Sequence, residues 1–182
     1  MNKDDLDSAE KFIKNFIDGD YSTWQANYTV RDEKELGELL DGFTKKFYSF
    51  QVTIPIGRPT SPSEEWFETG AKEDLKVTFK RPLFKIDQYV LNEEVIYAAY
   101  TGSTDEGSCV YFEILIFKKI GEVYKIFSVY HPDFEGGLTH FQGEKFTFPQ
   151  NNYVDVRRIQ APDDDLDLQD YNLNPENKTI RS

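Results

Sequence analysis

Few side chains in this sequence stand where chemistry is expected of them, and Glu113 is the foremost. It falls between Tyr111 and Leu115 on a strand face that is otherwise apolar. A carboxylate held there loses hydration and its pKa rises, which suits a general acid or base near neutral pH. Two blander readings compete: the face opens to solvent, or Glu113 pairs with Lys125 on the next strand, as opposite charges across strands commonly do. The two histidines, His131 and His140, are nine residues apart in a glycine-rich segment. No paired-histidine helix or carboxylate cluster accompanies them, and a metal needs three or four convergent ligands, so no metal is expected. The glycine-rich and serine fingerprints of phosphate, dinucleotide and acyl-transfer sites are absent. Asp163, Asp164, Asp165 and Asp167 lack the glycine and closing glutamate of a calcium loop. A solvated acidic tail is the better reading, and no cofactor is implied.

Charge narrows the classes further. The net charge is -12 and the isoelectric point about 4.6. Nucleic-acid binding relies on neutralising phosphates with Lys and Arg, so direct binding to DNA or RNA is disfavoured. Anionic membrane surfaces are disfavoured for the same reason. A basic protein partner suits such a surface; an acidic surface that only aids solubility is the alternative. The single cysteine, Cys109, rules out an internal disulfide and suits a reducing compartment. The polar start MNKDDLDSAEK has no apolar signal core, and no stretch has the length of a membrane span, so a cytoplasmic protein is expected.

The elements that position these residues follow from periodicity. Leu6 to Asp18 carries apolar residues at helical spacing, with Asp4, Asp5 and Asp7 at its start and Gly19 as its C-terminal stop. Tyr21 to Tyr28 reads as a short second helix or turn that carries Trp24 toward the core. Asp32 caps the next helix, with Leu36, Leu39, Leu40, Phe43, Phe47 and Phe50 on its apolar stripe. Val52, Ile54 and Ile56 alternate as a short strand. Ser61 then caps a short helix to about Thr69 that carries Glu64, Glu65 and Trp66. Leu75, Val77 and Phe79 alternate as another strand. Lys85 to Tyr130 is an antiparallel four-stranded meander with a turn at Asn92-Glu93 and a loose loop at 102–107. Phe84, Ile86 and Val90 share one face of its first strand. Ser108 to Lys118 is apolar on both faces and must be central and covered twice. In the last strand Phe127 and Val129 share a face opposite Tyr124, Ile126 and Tyr130. Beyond it, Phe146 with Phe148, and Tyr153 with Val154 and Val156, suggest brief strands before an acidic tail.

Helices followed by a long-stranded meander make an α+β domain with a curved antiparallel sheet. Phe16-Ile17-Asp18-Gly19-Asp20-Tyr21-Ser22-Thr23-Trp24 and the Tyr124-Lys125-Ile126-Phe127 run resemble the opening and the final strand of the NTF2-like superfamily. The resemblance covers about residues 6–50 and 84–130. It implies a cone-shaped sheet with N-terminal helices packed against it, in one domain over 1–150 with its core at 6–130; the segments 51–83, an insertion, and 131–182 are not explained by it, and 151–182 reads as a C-terminal extension with an acidic tail. Fold does not choose a function. Members include small enzymes, subunits that only bind or dimerise, and bacterial immunity proteins.

Three readings follow. The first is a non-catalytic immunity protein that neutralises a cognate toxin, such as a basic nuclease-type effector. Its partner surface would be Glu64, Glu65 and Trp66 with Asp163, Asp164, Asp165, Asp167 and Asp170; tryptophan is a common interface anchor, and a Trp66 buried in the core is an equal alternative. The second is a small-molecule enzyme or binder of the ketosteroid-isomerase or dehydratase kind. Its cone would use Tyr97, Tyr111 and Glu113, with Asp87 and His131 as further candidates. The third is an accessory subunit that forms a homodimer through the outer face of its sheet.

Overall fold

The computed structural model describes residues 3–72, 81, 83–105, 108–132, 138–148, 153–155 and 170–172. It divides into two compact units, Met1–Lys80 and Arg81–Ser182. The first is helical and the second is built on an antiparallel sheet, so the protein is α+β.

Helix α1 runs from Lys3 to Thr29 without a break. Gly19 therefore does not stop it, contrary to the expectation of a helix ending there with a short second helix or turn beyond it. The reason lies in α2, which spans Glu33–Phe47. A Cβ built on Gly19 would stand 2.9 Å from Cε2 of Phe43. The glycine lets the two helices approach, and that packing outweighs the cost of about 1 kcal/mol for glycine within a helix. Phe16 fills the same seam, stacked on Phe43 at 5.5 Å and edge-on to Phe47 at 5.4 Å. Trp24 is 46% exposed and does not reach the core. Its turn of α1 instead buries Thr23, Ala26 and Asn27.

Asp32 caps α2 as expected, accepting from the backbone N–H groups of Lys34 at 2.8 Å and Glu35 at 3.2 Å. Leu36, Leu40, Phe43 and Phe47 form the buried stripe, but Leu39 is 41% exposed. Residues 51–56 are extended and alternate in burial, yet form no strand. Ile54 and Ile56 pack instead against Ala26, Leu36 and Leu40. The segment is held by Asn27, whose Oδ1 accepts from the Gly57 N–H at 2.9 Å. Helix α3, Glu64–Lys72, is capped by Ser63 rather than Ser61: its Oγ accepts from the Trp66 N–H at 3.1 Å. The helix continues past Thr69 and Gly70. The expected strand at Leu75 to Phe79 lies outside the described residues.

The second unit is an open five-stranded sheet in the order β1-β2-β3-β4-β5. Its strands are Leu83–Leu91, Glu94–Asp105, Ser108–Ile120, Val123–Pro132 and Leu138–Gly143, each antiparallel to the next. Asn92 and Glu93 turn the first hairpin with positive φ, +52° and +66°, as tight hairpins require. Most of the expected 102–107 loop is strand, because β2 continues to Asp105. The central strand is β3, and Ile114, Leu115, Ile116 and Phe117 are all fully buried, so it is covered on both faces as its composition demands.

Two bulges redirect side chains that simple alternation misplaces. The register shifts between Leu83 and Lys85, and Phe84 joins the face of Ala98, Tyr100 and Ile114 rather than that of Ile86. It shifts again where Ile116 pairs with Ser128 and Phe117 with Ile126, which places Phe127 and Tyr130 in the same cluster. Phe146 and Phe148 are not a strand. They are a coil buried on that cluster, where the Tyr130 hydroxyl accepts from the Phe146 N–H and donates to its carbonyl, both at 2.7 Å. A small hairpin pairs β6, Tyr153–Asp155, with β7, Asp170–Asn172. Val156 and the rest of the tail lie outside the described residues.

Candidate functional site

In the helical unit the side chains converge where the end of α1 meets α3. Helix α1 carries no basic residue in its last turn. Arg58 supplies one from the coil, donating through Nη1 to the Val30 carbonyl and through Nη2 to that of Arg31 at 2.9 Å. A cation there satisfies two carbonyls just past the helix end and complements the negative end of the helix dipole. The Arg58 guanidinium also lies over the Phe67 ring at 5.5 Å. Arg31 covers the same ring at 4.7 Å and forms an ion pair with Glu64. Phe67 is thus a buried aromatic floor under two guanidinium groups. Trp66, partly buried, stacks on Tyr28 at 4.9 Å with planes 23° apart.

The structure places Glu64 and Glu65 in the exposed first turn of α3, beside Trp66, so these three expected residues share one corner. The helix dipole favours acidic side chains at this position. Asp163, Asp164, Asp165 and Asp167 lie outside the described residues, and Asp170 stands in β7 opposite Asp155. Arg31, Arg58 and Tyr28 were not singled out from sequence. Arg58 carries a weak signal, a cation in a Gly-Arg-Pro turn after a helix with an uncapped end.

In the sheet unit Glu113 is buried, and its partner is Arg81, with both side chains only 8% exposed. This replaces both expectations for it, solvent and Lys125. Lys125 stands opposite Lys118, near the far end of the hairpin. Glu113 pairs in register with Thr101. Tyr97, the second expected pocket residue, is four residues further along β2, about 13 Å at strand rise. It is buried in an aromatic group, stacked on Phe117 at 5.2 Å and edge-on to Tyr124 at 6.0 Å. Tyr97 and Glu113 are therefore not brought together. Tyr111 stands on β3 opposite Ser103. His131 and His140 are brought into register directly across β4 and β5, which their spacing in the chain hides.

Asp87 belongs to a different group. It is opposite Ala98, on the face that carries Tyr100. Lys85 Nζ lies 3.0 Å from Asp87 Oδ2 and 4.8 Å from the centre of the Tyr100 ring. Burial pushes the Tyr100 hydroxyl far above the usual tyrosine range, and Tyr89 and the Asp87 carboxylate push it further. Burial also raises Tyr89. At neutral pH both hydroxyls keep their protons.

Among the described residues no group of three or more His, Cys, Asp or Glu could hold a metal, and no helix is long and apolar enough to cross a membrane. Compared with protein-family models, curated proteins and solved structures, the chain matches none of them.

Proposed function

We propose that this is a non-catalytic binding protein, an immunity protein that neutralises a cognate bacterial toxin in the cytoplasm. The observation that carries the reading is the α3 corner: Glu64 and Glu65 are exposed beside Trp66, on a short helix anchored by the Trp66–Tyr28 stack. An acidic patch with an aromatic anchor suits the basic groove of a nuclease-type effector. The salt bridge between Glu113 and Arg81 adds support, since it occupies the carboxylate that an enzyme reading would use. Helices that precede an antiparallel meander are in keeping with an NTF2-like cone. The test is made in the native host. A tagged copy recovers a toxin-like protein in stoichiometric amount, and the neighbouring gene encodes it. Recovery of no such partner contradicts the reading.

One observation favours a second reading, a small-molecule binder or enzyme. Asp87, Tyr89 and Tyr100 place two protonated hydroxyls and a carboxylate on one sheet face. Phe146 and Phe148 lie on the same face, with Tyr89 ring centroids 5.9 and 6.2 Å from theirs. Saturable binding of a phenol or enone that is abolished by Tyr100→Phe would favour this reading over the first.

A further inference from the structure

Helix α1 carries an aromatic ridge that leads into the α3 corner. Ile17, Tyr21, Trp24 and Tyr28 follow one another at spacings of four, three and four, which sets them on one flank of the helix. Tyr21 and Trp24 are exposed, at 36% and 46%. Tyr28 ends the row, and Trp66 stacks on it from α3, so the row continues across the two helices. Acidic side chains border it: Asp18 on α1 and Glu64, Glu65 and Glu68 on α3 are all exposed.

The corner itself offers an example within the chain. Two guanidinium groups, those of Arg31 and Arg58, already lie over Phe67, and Glu64 pairs with one of them. Aromatic faces with carboxylates at their rim attract cations through the ring quadrupole and through charge. Nucleic acid and anionic lipid are repelled by a chain of net charge -12.

We infer that the Tyr21–Trp24–Tyr28–Trp66 ridge is a docking surface for an arginine-bearing segment of a partner protein, its guanidinium groups lying on the rings and pairing with the acidic rim. This rests on the reading of the protein as a binder and specifies the chemistry of its partner.

The chain contains two tryptophans, and both, Trp24 and Trp66, lie on the ridge, so their emission reports on it directly. The probe is a short synthetic peptide of alternating arginine and serine, titrated at physiological salt. Its neutral counterpart has citrulline in place of arginine. The arginine peptide is expected to change the emission saturably and the citrulline peptide to leave it unchanged. A Tyr21→Ser, Trp24→Ser double variant keeps every charge and removes only exposed rings. Followed through a label on the peptide, its Kd is expected to rise about tenfold. No saturable binding, or an unchanged Kd in the double variant, overturns the proposal, because attraction to bulk negative charge would survive the loss of the rings. The titration needs no native partner. Its failure leaves the toxin-binding reading to the test in the host, and failure of that test leaves a positive titration standing.

Discussion

Trp66 on α3 and Tyr28 on α1 stack at 4.9 Å with planes 23° apart, and this contact fixes the corner on which the proposed function rests. Aromatic pairs contribute about 0.5–1.5 kcal/mol beyond the area they bury. A double-mutant cycle of Tyr28→Ala and Trp66→Ala should therefore give a coupling energy of about 1 kcal/mol in denaturant unfolding. A coupling near zero would mean that α3 is held by Phe67 and its two arginines alone.

Gly19 makes a prediction whose sign runs against helix propensity. Alanine is favoured over glycine in a helix interior by about 1 kcal/mol. At Gly19 the added methyl meets the Phe43 ring, which Phe16 and Phe47 hold in place at 5.5 and 5.0 Å. Gly19→Ala should lower stability by about 1–3 kcal/mol, the cost of overpacking. At Gly42, on α2, nothing lies within 4 Å of the added Cβ. Gly42→Ala should raise stability by about 0.5–1 kcal/mol. Urea unfolding of the two variants decides it; stabilisation by both would show that the helices have room to spare.

This pair of glycines also shows what sequence can and cannot disclose. A glycine after an amphipathic stretch reads equally as a stop or as a point of close approach, and only the partner helix tells them apart. The strands β2, β3 and β4 were legible because two-residue alternation is local, and α2 because its stripe and its Asp32 cap are local too. Phe84 and Phe127 were misassigned because a bulge adds one residue and reverses the faces beyond it. In the candidate sites, the nearness of Glu64, Glu65 and Trp66 was legible because one helix carries all three. Arg81 was missed because it is 32 positions from Glu113, and no periodicity links them.

The Arg81–Glu113 pair should respond asymmetrically to substitution. Removing one member of a buried ion pair strands the other charge and costs about 3–5 kcal/mol, whereas replacing both by apolar groups is often nearly neutral. Glu113→Gln and Arg81→Met are each expected to destabilise by that order, and Glu113→Leu with Arg81→Met to recover most of the loss. Thermal unfolding of the three variants reads the difference. Additive losses in the double variant would mean that the two side chains do not interact in solution.

Tyrosine titration should shape the alkaline limit of stability. Burial holds Tyr89, Tyr100 and Tyr130 above the ordinary tyrosine value of about 10. Their folded pKa values exceed the unfolded one, so unfolding releases protons only when the pH is high. Their contribution is full below about pH 10 and falls as the pH rises past it. Ultraviolet titration of phenolate should show part of the tyrosine signal appearing only with unfolding. Tyr130→Phe should also cost about 1–3 kcal/mol at neutral pH, because the Phe146 N–H and carbonyl both lose their partner. Complete, reversible phenolate formation in the folded protein would contradict this.

The central claim is that the protein binds and neutralises a basic toxin through the α3 corner. The most direct measurement is co-expression with the product of the neighbouring gene in cells that this product kills. The account predicts that growth is restored by the wild-type protein and lost again on Trp66→Ala with Glu64→Lys and Glu65→Lys, although the variant still folds. Growth that is restored equally by the folded variant, or not at all by the wild type, would contradict it.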